Sequence, residues 1–301
     1  MRIVAAVIAF LFFSHSALAL EVQKVTDGVY ALVGENAQRS PKNLANNATF
    51  GVIVTDEGVV LVDPGGSWKG AAAIDKAIKG ITDKPVKIVI NSGGQDHRWM
   101  GNGYWKAKGA QIIASAAAVA DHKDRGSLQM TALDNFLGKE LDGTEEVYAD
   151  TTFETEYKFS LGGVDFEIHY AGQAHTPGDS FIWLKDRSVM FAGDIVYVER
   201  ILGIGSQSHS GEWIKTFKAM AAFKPTIIVP GHGKATTLTK ATAETLDYLL
   251  NLRKQMAAHI ENGGDMIGSV KVDQSKFSGL LQFDALSRRN AQQVYSEMEF
   301  E

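Results

Sequence analysis

The chain contains no cysteine. Disulfides, lipid attachment through a cysteine and thiolate metal sites are therefore excluded, and a transition-metal site must use histidine with carboxylates supplying the rest. Runs of like charge are also missing: 30 basic residues face 35 acidic ones, a formal net charge of −5. Nucleic-acid and polybasic membrane-binding roles need clustered Lys and Arg, so neither is expected, and the natural partner is a small molecule. No short-period repeat or low-complexity stretch interrupts a composition that is 45% hydrophobic and 22% charged, which is ordinary for a globular domain. At 301 residues the chain can bury a substantial core.

The start of the chain reads as an export signal. Arg2 supplies the positive charge, Ile3 to Phe13 the apolar stretch and Ala17-Leu18-Ala19 the small-residue cleavage site. The apolar stretch is too short for ~30 Å of hydrocarbon, and no later segment reads as transmembrane. Residues 1–19, including His15, are expected to be removed, leaving a periplasmic chain with no stable membrane insertion. Loss of Arg2 leaves 29 basic against 35 acidic residues, a net of −6.

From Leu20 onward the pattern alternates strands and helices. Val29–Val33, Thr49–Val54 and Gly58–Asp63 read as strands, with Asp56-Glu57-Gly58 turning a hairpin. Ser67 can cap a helix from Trp68 to Ile81, and Val86–Ile90 reads as a strand buried on both faces. A short helix near Tyr104–Lys108, a strand Gln111–Ala114 and a polar helical stretch to about Asp150 follow. A second run of strands covers 157–161, 164–170, 181–184 and 189–191, with Gly162-Gly163 as a hairpin turn. A helix at 213–223, a buried strand at 226–229 and an amphipathic helix carrying Thr245, Tyr248, Leu249, Leu252 and Met256 complete the pattern. The expectation is one α/β (α+β) domain over residues 20–301, two similar halves packed sheet to sheet with helices outside, ending in a helical tail from about 265 to 301.

The polar residues that carry chemistry fall just after buried strands, where α/β sheets place their ligand loops. The first strand end runs into Asn91-Ser92-Gly93-Gly94-Gln95-Asp96-His97, and the second into Gly172 to Asp179 with His175. The third ends in Phe191-Ala192-Gly193-Asp194, and the fourth in Val229-Pro230-Gly231-His232-Gly233. Each delivers a His or Asp, and imidazole with carboxylate suits Zn²⁺, Fe²⁺ or Mn²⁺.

With Val62-Asp63-Pro64-Gly65, these segments resemble the metallo-β-lactamase superfamily over nearly the whole mature chain. The ending from Arg288-Arg289-Asn290 to Glu299 looks like the tail of exported members linked to quinoprotein or sulfur-compound metabolism. The resemblance implies a four-layer αβ/βα sandwich of two mixed sheets. It also implies one metal on two loop histidines plus His175, a second on Asp96, His97 and His232, Asp194 bridging both, and Asp63 orienting a ligand from behind. This chain departs from that pattern where the first two loop histidines belong. Gly94 and Ser92 stand in their places, or Gln95 in the second if one residue is deleted. His175 and Asp194 alone are too few for a tight site, so one metal per chain is expected, zinc by preference with iron or manganese as alternatives.

Three functions are compatible with this pattern. The first is an exported metal-dependent hydrolase acting on an ester, amide, lactone or thioester bond, with Asp194 orienting water and His175, freed from metal, titrating near neutral pH as the base. The second is a non-catalytic binding or accessory protein, and the third a mononuclear iron enzyme acting on sulfur compounds. Arg98, Trp99 and Trp105 are expected near the pocket, the tryptophans as packing. His122, His169, His209 and His259 are expected to be surface or core-satisfied.

Overall fold

A computed structural model describes residues 20–301; the expected export signal lies outside the described residues. The first sheet contains, in order, β1 (Glu21–Thr26), β2 (Val29–Val33), β3 (Thr49–Val54), β4 (Val59–Val62), β5 (Val86–Asn91), β6 (Gln111–Ser115) and β7 (Thr151–Phe153). It is antiparallel through β4 and parallel from β4 to β7. The second sheet holds β8 (Glu156–Leu161), β9 (Val164–His169), β10 (Phe181–Leu184), β11 (Val189–Tyr197) and β12 (Ile227–His232). Only its β11–β12 pair is parallel. The hairpin at Asp56-Glu57-Gly58 joins β3 to β4, and Gly162 and Gly163, both at positive φ, turn β8 into β9. The sequence pattern does not reveal β1 or β7, and it stops β11 six residues short.

Helices cover the outer faces: α1 (Trp68–Lys79), α2 (Asn102–Ala107), α3 (Ala116–Leu137), α4 (Ser210–Ala221), the single turn α5 (Leu238–Ala241), α6 (Asp247–Glu261), the single turn α7 (Met266–Ser269) and α8 (Phe283–Met298). Ser67 caps α1 as expected, its Oγ accepting the Gly70 N–H at 2.9 Å. Among the described residues no helix is long and apolar enough to cross a membrane.

Three apolar layers follow from strand alternation. Val60, Val62, Ile90 and Ile113 of the first sheet meet Ile168, Ile182, Phe191 and Val229 of the second. On the outside of the first sheet, Leu61, Val89 and Ile112 pack under Ile74 and Ile78 of α1. Outside the second, Met190 and Ile228 pack under Trp213 of α4, Leu252 of α6 and Val294 of α8. The result is the αβ/βα sandwich of two mixed sheets.

Phe191 fixes the spacing of the two sheets near the site. Its ring lies so close to Gly51 of β3 that a Cβ there would sit 2.3 Å from it. Phe191→Ala is expected to destabilise the chain by about 3–5 kcal/mol, the range for truncating a buried aromatic. Urea unfolding of the two proteins measures this, and a loss below ~1 kcal/mol would show that the sheets close over the gap.

Candidate metal centre

The chemistry-bearing residues converge at one end of the sandwich. Asp63 follows β4, Asp96-His97-Arg98 form a single 3-10 turn after β5, Asp194 lies within β11 and His232 ends β12. His175 comes from the loop between β9 and β10. The ligand atoms of His97, Asp194 and His232 all lie within 4.8 Å of one another, and all three residues are buried. His97 Nε2 is 3.2 Å from Asp194 Oδ2, and His232 Nε2 is 3.3 Å from Asp194 Oδ1. A tetrahedral ion with ligands at ~2.0–2.1 Å has neighbouring ligands about 3.3 Å apart, so two imidazole nitrogens and a carboxylate fit one divalent cation in spacing and in chemistry.

Behind this trio sits Arg98, wholly buried, with all five N–H groups used. Nη1 donates to the Thr49 carbonyl (3.1 Å) and Asp63 Oδ2 (2.7 Å). Nη2 donates to Asp194 Oδ1 (2.7 Å) and the Gly231 carbonyl (2.8 Å), and Nε to Asp194 Oδ2 (3.2 Å). Each Asp194 oxygen has a further lone pair for the imidazole side. Burial alone would raise the Asp194 carboxyl, but the charges of Arg98 and His97 outweigh it and hold it well below the usual range. Asp63 does stand behind the ligands, yet its contacts are Arg98 and Ser92. It reaches the site through a guanidinium.

Asp96 faces a second arginine. Arg39, from the loop between β2 and β3, grips both of its oxygens with Nε and Nη2. Arg39 Nη2 also lies 3.3 Å from His97 Nδ1. Asp96 is therefore not one of the three clustered ligand residues.

The positions where the resemblance places two loop histidines are filled by protein. A Cβ on Gly94 would lie 1.8 Å from Asp121 Oδ2, and Asp121 is paired with Arg125 one turn along α3. Arg125 and Gln129 both donate to the Gly94 carbonyl. Ser92 is buried and bonded to Asp63. Gln95 is the residue that meets His175, with Oε1 3.1 Å from its Nε2.

His175 itself is not free. Its Nδ1 lies 2.9 Å from the Gly203 carbonyl, the ring packs on Tyr197 and Trp213, and burial lowers its pKa to about 4. The expectation that it titrates near neutral pH fails, because the ring is enclosed rather than solvated. His232 is stacked on Tyr197 at 4.5 Å, which orients a ring whose Nδ1 has no hydrogen-bond partner. Trp99 and Trp105 are buried, donating to Gln129 and Pro64. Of the remaining histidines, His122 is in the core, while His169, His209 and His259 pair with groups away from the site.

A cavity of about 230 Å³ opens over the trio. Arg39, Arg125, Arg200 and Arg289 reach its wall, and no carboxylate does. Arg200 is only 4% exposed, and among the described residues no carboxylate pairs with it. Two long bonds to backbone carbonyls, 3.3 Å to Ala37 and 3.4 Å to Ile201, are its polar contacts.

The two-sheet sandwich and the His–carboxylate cluster define a protein with a candidate centre for one divalent cation. Comparison with known proteins gives the family. The metallo-β-lactamase superfamily model matches residues 45–232, and the chain belongs to that superfamily. It is similar to a metallo-β-lactamase type 2 of Elizabethkingia meningoseptica, at 25% identity over 251 residues, 82% of this chain and 91% of that protein. A second relative, metallo-β-lactamase IND-1 of Chryseobacterium indologenes, is 24% identical over 184 residues, 60% of this chain and 69% of the other. Among solved structures, a metallo-β-lactamase from Pontibacter korlensis superposes with a TM-score of 0.62 at 20% identity, covering 77% of this chain and 99% of that one, a likeness of fold.

Two predictions follow from the buried charges. Arg98→Met leaves Asp63 and Asp194 without their shared cation and is expected to cost about 3–5 kcal/mol; a variant as stable as its parent in urea would show the carboxylates are compensated elsewhere. His122 stacks on Trp99 with its Nε2 2.9 Å from the Gly93 carbonyl, and burial lowers its pKa to about 4. As pH falls, the unfolded chain takes up this proton near 6.5 and the folded chain only near 4, so stability is lost across that window. His122→Gln should reduce the loss between pH 7 and pH 5 by about 1–2 kcal/mol, measured by urea unfolding at both pH values. Unchanged pH dependence would count against a neutral buried His122.

Proposed function

We propose that the chain is an exported hydrolase that uses one divalent metal, zinc by preference, on a small substrate bearing an anionic group. The observation that carries the reading is the spacing of His97, Asp194 and His232. A bound ion would supply a Lewis acid and lower the pKa of a coordinated water. The chain's own groups do the rest. Arg98 fixes the rotamer and charge of Asp194 from behind, so the carboxylate is presented without reorganisation. His175 lies between two acceptors, the Gly203 carbonyl at Nδ1 and Gln95 Oε1 at Nε2. A neutral ring donates to only one, and with its N–H on Gly203 it presents the Nε2 lone pair at the cavity wall to a proton from substrate or water.

Substrate charge is read from the wall. A buried, unpaired guanidinium is costly unless an anion completes it, and Arg200 is such a group, with the exposed Arg289 beside the same cavity. An ester, amide, lactone or thioester whose substituent ends in a carboxylate or similar oxyanion satisfies both the metal trio and Arg200. The arginine forks on Asp96 and Asp194 give some support to a second reading, a binding protein that keeps the pocket and has lost catalysis.

Elemental analysis of protein purified from the periplasm, with a panel of anionic and neutral esters and lactones, tests both. The expected result is one metal equivalent, lost in His232→Ala, and turnover biased to anionic substrates. Arg200→Ala should raise KM for these about tenfold or more while leaving neutral substrates unchanged, since a charge-assisted hydrogen bond contributes about 1.5–3 kcal/mol. Metal retained without turnover on any substrate favours the binding protein, and iron in place of zinc favours redox chemistry.

A further inference from the structure

We propose that Arg39 is a built-in cation that takes the place of a metal bond at Asp96 and limits the site to a single ion, held less tightly than it would be with Asp96 as a ligand. The inference rests on the one-metal reading above. Three observations carry it. First, Arg39 is partly buried and forks both oxygens of Asp96, while the same carboxylate also accepts the His97 backbone N–H (2.8 Å) and a Gln95 Nε2 N–H (3.2 Å). Those four bonds leave Asp96 little capacity for an ion. Second, Arg39 Nη2 is 3.3 Å from His97 Nδ1, which itself lies 3.2 Å from Asp96 Oδ1, so one guanidinium nitrogen caps both the carboxylate and the ring nitrogen on this side of the site. His97 is left with Nε2, the nitrogen that faces Asp194.

The third observation is the charge count. Asp63, Asp96 and Asp194 are the carboxylates of the buried centre, and Arg39 and Arg98 pair with them. One negative charge remains. A single divalent ion turns that to one positive charge, and a second would raise it to three beside a wall that already carries Arg125 and Arg200. Arg39 and a metal on Asp96 are therefore alternatives. The guanidinium comes from a loop 57 residues earlier in sequence and is tethered to the chain, so it needs no supply of metal to be in place.

The experiment is a zinc chloride titration of metal-stripped, full-length mature protein against a chromophoric chelator, with stoichiometry and affinity as readouts. Circular dichroism and thermal unfolding of each variant establish that it folds. Arg39→Gln removes the charge while retaining hydrogen-bonding groups, and is expected to bind zinc at least tenfold more tightly or to take a second equivalent. Arg39→Lys retains the charge and should stay within about threefold of the parent. Asp96→Asn in the parent should leave the zinc stoichiometry unchanged, and combined with Arg39→Gln it should abolish the gain. Parental affinity in Arg39→Gln, or loss of zinc on Asp96→Asn alone, would overturn the inference by making Asp96 a ligand despite Arg39 or Arg39 a loop anchor only. If the parent binds no zinc but Arg39→Gln does, the one-metal reading fails and the role of Arg39 stands. If neither binds, both fail.

Discussion

The guanidinium of Arg98 is the point on which the rest of this site depends. It joins the Thr49 carbonyl in β3, Asp63 after β4, Asp194 in β11 and the Gly231 carbonyl in β12, and so ties the two sheets together at their functional end. A buried cation is tolerable only with paired charge and every N–H satisfied, and here all five are. The same geometry dictates nearby sequence. A Cβ at Gly231 would lie 2.7 Å from Arg98 Nη2 and 2.4 Å from the Gly193 carbonyl, so neither that strand crossing nor the guanidinium leaves room for a side chain. Gly193 adopts positive φ with Ser92 close against it, which brings the Asp194 backbone over the β5 loop.

That loop is held in shape by protein contacts. Gly93 and Gly94 lie against Asp179 and Asp121; the Gly94 N–H donates to Thr176 Oγ1, and His122, Arg125 and Gln129 bond the Gly93 and Gly94 carbonyls. These contacts do structurally what metal coordination would do: they fix the loop's backbone against α3 and the β9–β10 loop. A histidine at position 94 would displace the Asp121–Arg125 pair. Glycine there is thus built into the packing, whereas His97, Asp194 and His232 have ligand spacing.

Much of the fold was legible because buried strands and capped helices announce themselves locally. Val86–Ile90, Phe181–Leu184 and Ile227 onward are apolar runs, and Ser67 sits where an N-cap belongs. β1 was hidden because Glu21, Gln23 and Lys24 alternate weakly on an edge strand whose partner is β2 alone. β7 has three residues and depends on its parallel pairing with β6. β11 was cut short because Gly193 and Asp194 look like a strand end, yet parallel pairing with β12 carries it to Tyr197. In the site, strand ends revealed His97, Asp194 and His232. The partners of Asp63 and Asp96 could not be read, since Arg98 and Arg39 find them across 35 and 57 residues of sequence. The environment of His175 was misjudged for the same reason. Burial lowers its pKa, and Tyr197 and Trp213, which pack on the ring, are not near it in the chain.

Composition was silent on the feature that most constrains the substrate. A chain with net negative charge conceals a cavity whose wall is arginine. The arginines divide by what they face. Arg39, Arg98 and Arg125 each lie on a carboxylate of the chain, so their charges are spent on holding Asp96, Asp194 and Asp121 in place. Arg200 and Arg289 have no such partner among the described residues and border the same space. Low-dielectric walls strengthen an unpaired charge toward whatever enters, so the paired set shapes the centre and the unpaired set is the charge that the proposed anionic substrate would meet. An anion seated on Arg200 would complete a guanidinium that the folded chain leaves with two long backbone bonds, and its position beside Tyr197 and His232 would bring an adjoining bond over the metal-binding trio.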